Sequence, residues 1–319
     1  MNPRLPLAGL VWSCSIALAM AAGPWEVAKD NTGLVVKKDG KLVTQYHVKM
    51  GNKPILWPVV GPTGKEMTRA YPMRKDDGVK EGAYPYDHIH QKSLWFTHGS
   101  VNGFSFWEEI NPKKAPGEQV HKEFVKTEGG EQATIVSRTD WLGDGKKQLE
   151  DERTIVIRDA GDARIMDYTV VLKATEGEVQ FGVTKEGSFG IRVPSSMDVD
   201  MKMGGQIINS EGQTDKDAWG QPASWVDYHG PVVGEQLGIA VLNHPSSFRY
   251  PTRWHVRTYG LFAANPWGLH DFTGGKEPGG DYTLPKGESL TLRYRIVFHK
   301  GDEKQGQIAE AFAKFAAEK

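Results

Sequence analysis

Cysteine is almost missing from this chain: Cys14 is the only one in 319 residues, and it falls inside an apolar leader. The mature protein therefore forms no disulfide and no thiolate metal site. An excess of one charge is missing as well, since 39 Lys and Arg face 40 Asp and Glu, so no global field favours nucleic acid or an anionic membrane. Downstream of the leader no apolar run approaches the length that crosses a bilayer. Helical periodicity is scarce and no repeat of fixed period is visible, which argues against an α/β fold and a propeller. Nucleotide and serine-hydrolase motifs are also absent. The run Gly274 to Gly280 (GGKEPGG) lacks the strand-to-helix setting and the Lys-Ser/Thr ending of a phosphate loop, and there is no G-x-S-x-G.

The leader has Arg4 before an apolar run from Leu5 to Ala22 that ends in Ala19-Met20-Ala21. This is the pattern of a secretory signal peptide over residues 1–22, cleaved after Ala21 or Ala22. Pro6, Ser13 and Ser15 interrupt the run, which disfavours a membrane anchor. Trp12 and the apolar residues beyond Cys14 argue against lipidation. The expectation is a periplasmic or secreted protein whose mature chain, 23–319, forms one domain. About 300 residues bury a substantial core without staples.

What is present is a succession of short β-type runs. Trp25 to Val27, Leu34 to Lys37 and Leu42 to Val48 come first, the last two joined by Asp39-Gly40. Pro54, Pro58 and Pro62 predict an irregular crossing near Trp57. Phe124 to Thr127, Ala133 to Trp141, Leu149 to Arg158 and Arg164 to Lys173 are separated by Gly- and Asp-rich turns and read as an antiparallel meander. Val179 to Val183 and Phe189 to Val193 add strands. From Asn209 to His270 only Gly238 to Leu242 reads as a buried strand, and the rest reads as long functional loops. Leu290 to Phe298 alternates as a terminal strand, and Lys304 to Glu318, with Ile308, Ala309, Phe312 and Phe315 at helical spacing, is the one convincing helix. The fold class that follows is all-β, a large antiparallel β-sandwich with a C-terminal helix.

Chemistry concentrates in Tyr84 to Glu109, which packs His88, His90, His98, Asp87, Asn102, Trp95 and Trp107 into one segment. It is too polar for core and too aromatic for an ordinary solvated loop. Read as a strand, a turn at Asn102-Gly103 and a second strand, it places His88 and His90 on one face. Imidazoles titrate near neutral pH and exchange protons with hydroxyls, and Glu186 at a turn is the partner carboxylate, although a solvated ion pair with Lys185 fits the spacing equally well. The alternative use of Asp87, His88, His90 and His98 is a divalent metal site. Their spacing resembles the first ligand pair of cupins, but no Glu follows at the expected interval. A second patch runs from His244 to Pro266, where Arg253, His255 and Arg257 alternate and share one face of an extended chain. Two guanidiniums beside an imidazole suit a carboxylate, a sulfate or a hydroxyl-rich ligand.

Long motifs carry a family resemblance over most of the mature chain. They are Glu66 to Met73 (EMTRAYPM), the Y-D-H-I-H and L-W-F-T-H-G-S-V-N-G-F-S-F-W runs, T-K-E-G-S-F-G-I-R-V, W-V-D-Y-H-G, and the H-P-S-S-F-R-Y-P-T-R-W-H-V-R-T-Y-G-L-F-A-A-N-P-W-G run. With these the chain resembles a family of exported bacterial proteins of unknown function that carries the automated name PmoA, or methane oxygenase. That family usually shows D-H-P-H-H-R-G where this chain has Asp87, His88, Ile89, His90, Gln91, Lys92 and Ser93, so one imidazole and one guanidinium are missing. The methane oxygenase name does not suit the chain, because such a subunit is an integral membrane protein. The resemblance instead implies a supersandwich of the galactose-mutarotase type and an exported carbohydrate-active enzyme (hydrolase, lyase or epimerase) or a glycan-binding protein. In that reading His88, His90, His98, Glu186 and His255 are acid–base groups. Asp87, Asn102, Trp107, Lys185, Arg192, Trp225, His244, Arg253, Arg257 and Asn265 hold the sugar. No cofactor is called for unless the histidine cluster takes a metal, and a carbohydrate is the expected ligand, with neither nucleic acid nor membrane insertion.

Overall fold

In a computed structural model that describes residues 23–75, 86–110 and 113–319, the chain opens with β1 (Trp25–Lys29), β2 (Gly33–Lys38), β3 (Lys41–Met50), β4 (Lys53–Val59) and β5 (Leu94–His98). The leader at 1–22 and the start of the histidine segment, Tyr84 and Pro85, lie outside the described residues. Asp39 and Gly40 turn β2 into β3 with φ of 49° and 72°, both left-handed, as a two-residue type I′ hairpin requires. The irregular crossing expected at the prolines is a strand instead. Its ladder to β3 shifts register twice, and its paired positions are Lys53, Ile55, Leu56 and Val59. Pro54 and Pro58 thus fall in gaps where no N–H is needed.

The meander follows as β6 (Gly117–Glu128), β7 (Ala133–Gly143), β8 (Lys146–Ala160) and β9 (Ala163–Lys173). Along β9 and through the middle of β8, from Gln148 to Arg158, buried and half-buried positions alternate strictly, so one face of this ladder packs on the core and the other meets solvent. Next come β10 (Val179–Phe181), β11 (Gly187–Arg192), β12 (Gln206–Asn209), β13 (Trp225–Val232), β14 (Glu235–Asn243), β15 (Arg253–Val256) and β16 (Leu261–Asn265). The stretch expected to be mostly loop, Asn209 to His270, therefore holds four strands, β13 to β16. The chain closes with α1 (Leu269–Phe272), β17 (Tyr282–Leu284), β18 (Ser289–Lys300) and α2 (Ile308–Ala316).

Two eight-stranded sheets result, in the orders β1-β2-β3-β4-β5-β11-β16-β15 and β12-β13-β14-β18-β9-β8-β7-β6, with β10 and β17 as a separate ribbon. Every ladder among these strands is antiparallel. The sheets pack face to face, with Phe189 of the first stacked 4.8 Å from Tyr294 and tilted 5.0 Å from Tyr168 of the second. Each such ring, fully buried, contributes about 1.5–3 kcal/mol. On the outer face of the second sheet Trp225, Ala240, Leu242 and Val297 take Ile308 and Phe315 of α2. Among the described residues no helix is long and apolar enough to cross a membrane.

An outer face of a two-layer sandwich should be wet, yet β5, β11 and β16 are buried at every position. Something covers the middle of the first sheet on its outer side. That cover is made of the histidine segment and the loops around Trp107, Glu186 and Tyr259.

Candidate functional site

The floor is aromatic. Ile55, Trp95, Leu261 and Ala263 project from the first sheet and pack with Trp107, and Trp57, Met50, Met73 and Tyr259 close around them. Trp95 lies across Gly190, where a Cβ would come within 2.6 Å of the indole; only glycine lets the ring lie down there. Trp107 sits 5.2 Å from Trp95 and 6.4 Å from His90. Neither indole N–H finds an acceptor among the described residues.

At the rim, His88 Nδ1 lies 2.9 Å from Asp87 Oδ2, and the other Asp87 oxygen accepts from Arg192 Nη2 at 2.9 Å. Arg192 Nη1 also donates to Gln91. Burial would raise the Asp87 pKa, but the hydrogen bond from His88 and the charge of Arg192 outweigh it and hold it at about 2. An ionised Asp87 only accepts, so Nδ1 of His88 is the donor and Nε2 is the ring nitrogen turned away from the carboxylate. The ring stacks on Tyr259 at 5.0 Å and 6°. The strand expected of the segment is confined to Leu94–His98; His88 has φ of 50° and opens a turn, its carbonyl accepting from the Gln91 N–H at 2.8 Å. His88 and His90 are nonetheless neighbours, with rings 5.8 Å apart, because the turn brings together what alternation was expected to align.

The opposite rim is a clamped backbone. Asn265 Nδ2 donates to the carbonyls of Thr184 (2.8 Å) and Lys185 (3.0 Å), and His255 Nδ1 donates to the Lys185 carbonyl at 2.8 Å. The Lys185 N–H donates to Asp271 Oδ2 at 2.8 Å, and the Gly99 N–H to the Glu186 carbonyl at 2.7 Å. These bonds fix where the Glu186 side chain starts. Its carboxyl pKa is raised, first by burial and then by Glu108 and Asp271, against the opposing charges of Lys185 and His88. His255 is pushed down to about 3 by burial and then by Arg257. Since its Nδ1 is the donor, Nε2 is unprotonated.

Behind His90 stands a group of cations. Burial, followed by Lys53, His88, Lys92 and Arg192, lowers His90 to about 3. Lys53 is fully buried, donates to Asn52 Oδ1 (3.0 Å) and the Trp107 carbonyl (2.9 Å), and has its pKa driven well down by burial and then by Lys92. Burial lowers Lys92 to about 8, and it pairs with Glu109. Arg192 falls to about 10 through burial and the neighbouring Arg69.

His88, His90, Glu186, His255, Asp87, Trp107, Lys185, Arg192, Arg257 and Asn265 thus lie on the outer side of the first sheet, with Trp107, Arg192, His255 and Asn265 buried beneath the others. Five expected members do not join them. His98 points from β5 into the core, where Nε2 meets the Gly182 carbonyl at 2.9 Å and Trp267 packs against the ring. With His98 on the far side of the sheet, the four residues considered for a metal do not converge. Among the described residues no three His, Cys, Asp or Glu side chains gather in a metal-binding arrangement. Asn102 bonds Gln148 and the Gln180 N–H and holds a turn. Trp225 lies under α2 on the other sheet. His244 anchors the C-terminus, bonded to the Glu318 carbonyl at 2.9 Å with its ring on Phe315. Arg253 shares the face of His255 but is tied at the sheet edge to the Gly220 carbonyl at 2.9 Å.

Sequence reasoning missed Tyr259, Lys53 and Gln91. Tyr259 carried a signal: the alternation Arg253, His255, Arg257 extended by one step lands on it. Lys53, a lysine before a proline, carried none.

Residues 33–313 match the profile of a family described only as a family of unknown function, DUF6807, a description that carries no methane oxygenase name. No curated protein matches the sequence. Among solved structures the chain is similar to the galactosidase domain of an alpha-galactosidase-sucrose kinase (9% identity, TM-score 0.36, 88% of this chain and 40% of that one). It is also similar to a polysaccharide lyase (13%, TM-score 0.33, 88% and 33%) and to a galactose mutarotase related enzyme from Lactobacillus acidophilus (12%, TM-score 0.29, 86% and 97%). The chain spans well under half the length of the first two. Likeness at these scores carries no argument about activity.

Proposed function

We propose that this chain, which belongs to the family of unknown function DUF6807, is an exported carbohydrate-active enzyme working by general acid–base chemistry on the outer face of its first sheet. One observation carries the reading: an imidazole oriented by a carboxylate lies within electrostatic reach of a carboxyl whose pKa is raised. Two titratable groups pushed apart by their surroundings divide the roles of base and acid. His88, held by Asp87 at 2.9 Å, offers Nε2 as base. Glu186, kept protonated further toward neutral pH by burial and by Glu108 and Asp271, is the acid. The buried Trp95 and Trp107 pair backs His90 from beneath and keeps the rim above it rigid. His90, neutral and half-buried, presents hydrogen-bonding capacity for hydroxyls. Hydrolysis, elimination and epimerisation all use this pair. The mechanism calls on no cofactor; metal analysis of protein purified without chelator tests that directly.

The test is a glycan panel incubated with the purified mature protein and read for product. Wild type forms product from at least one member, and His88→Ala and Glu186→Gln, both folded, do not. Wild-type rates in both variants would sink the assignment. Saturable binding with no product from any member would make the protein a glycan binder.

A further inference from the structure

Arg257 differs from the other guanidiniums around the site. Arg192 is held by Asp87 and Gln91, Arg69 by Asp198, and Arg253 by the Gly220 carbonyl. The Arg257 guanidinium has no hydrogen bond or carboxylate partner among the described residues; it is held by two rings, with its central carbon 5.7 Å from Trp219 and 5.4 Å from Tyr259. Stacking fixes the plane of a guanidinium without consuming its N–H donors. The group is only half-buried and borders a cleft of about 230 Å³ lined by Lys216, Trp219, Val256, Arg257 and Thr258.

Its position ties it to the chemistry. Tyr259, one of its two rings, is also the ring on which His88 stacks. His255, two residues earlier, feels Arg257 more than any other charge. A planar fork of donors, fixed in place, uncompensated and one ring away from the base, is complementary to a planar anion with two oxygens. A neutral sugar would leave that charge unmatched in a partly desolvated site, which is costly.

We infer that the substrate is an acidic glycan, and that Arg257 clamps the carboxylate of a uronic acid residue beside the His88 and Glu186 pair. This rests on the acid–base reading above and narrows its substrate.

Calorimetric titration of the full mature protein with oligogalacturonate, oligoglucuronate and alginate oligosaccharides, each beside its carboxyl-reduced counterpart, tests this without any mutation. Wild type is expected to bind at least one oligouronate roughly 10- to 100-fold tighter than the reduced form, the weight of one charge-assisted pair. Arg257→Gln is expected to lose that preference while binding of the reduced form is unchanged, and Arg257→Lys to keep part of it, since an ammonium offers no fork. Equal affinity for charged and reduced forms overturns the inference, as does an undiminished preference in folded Arg257→Gln or a stronger preference for sulfated neutral oligosaccharides. If a neutral glycan is turned over in a His88- and Glu186-dependent manner, the inference fails and the acid–base reading stands. If no glycan of any kind binds, both fail.

Discussion

Two buried groups of histidine and carboxylate sit on opposite outer faces of this sandwich, and they are built on opposite principles. On the second sheet Asp227 accepts from His229 Nδ1 and His299 Nε2, both at 2.6 Å, one imidazole on each oxygen. Burial alone would raise the Asp227 pKa and lower those of the two imidazoles. The hydrogen bonds reverse all three, so the carboxyl is held down and both imidazoles are held up. The circuit is closed, and a ligand has nothing to complete. On the first sheet burial, unopposed by any paired carboxylate among the described residues and reinforced by neighbouring cations, drives His90 and His255 down to about 3, and burial drives Glu186 up. The same residue types, with no described carboxylate paired to either imidazole, form a site that waits for a partner. Pairing, more than residue identity or burial, separates the structural cluster from the candidate catalytic one.

The comparison breaks most decisively if activity does not follow the open circuit. Glu186→Gln and His88→Ala are each expected to lower turnover of whichever glycan yields product by roughly 10²–10⁴-fold, the usual worth of a positioned acid or base, with the melting temperature nearly unchanged. His229→Gln should leave turnover per folded molecule as it was. Rates that fall equally in all three variants would erase the distinction.

Stability should follow the closed circuit. Asp227→Asn leaves two imidazoles facing a neutral amide and is expected to cost about 3–5 kcal/mol in urea unfolding. A loss below about 1 kcal/mol would mean that the triad is not a paired unit.

The two clusters also predict opposite pH dependences. His90 and His255 are neutral when folded down to about pH 3, whereas the unfolded chain takes up protons below about 6.5. Their contribution is complete above pH 6.5 and is lost as pH falls from 6.5 toward 3, by up to a few kcal/mol. His229 and His299 have raised values, so their contribution is complete below about pH 6.5 and is lost as pH rises through the folded pKa values. Unfolding free energies from pH 4 to 9 should therefore show a flatter acid limb in His255→Asn and a flatter alkaline limb in Asp227→Asn. Unchanged limbs in either variant would remove that cluster from the titration.

How much of this the sequence reveals depends on how local its cause is. The hairpin at Asp39-Gly40 and the meander from β6 to β9 follow from turn chemistry and period-two alternation, and the structure has them. The strands between Asn209 and His270 escape because both faces of β13, β15 and β16 are covered, so Trp254, His255 and Asn265 break the alternation that marks a half-exposed strand. His88 and His255 are readable from two dense patches of unusual residue types, Glu186 from its place at a turn, and Arg192 only through the family resemblance. His98 has the same type as His88 and sits in the same segment. Only the direction it takes from β5, into the core against Trp267, sets it apart, and that depends on the register with β11 and not on residue type.

Asn102 is the mildest test of the same principle. It lies within the histidine segment and reads as sugar-binding, but its hydrogen bonds are internal: Oδ1 accepts the Gln180 N–H at 2.7 Å and Nδ2 donates to Gln148 at 3.1 Å. Its φ of 48° is left-handed, which Asn tolerates better than most residues. Asn102→Ala removes both side-chain bonds and keeps the strained φ, for an expected loss of about 1–2 kcal/mol. Asn102→Gly removes the same bonds but relaxes the backbone, so it should cost less than Ala. Glycan affinity should be unchanged in both. An affinity that drops while thermal stability holds would place Asn102 in the open circuit, and the boundary between structural and functional polar groups would then lie one turn further along the chain.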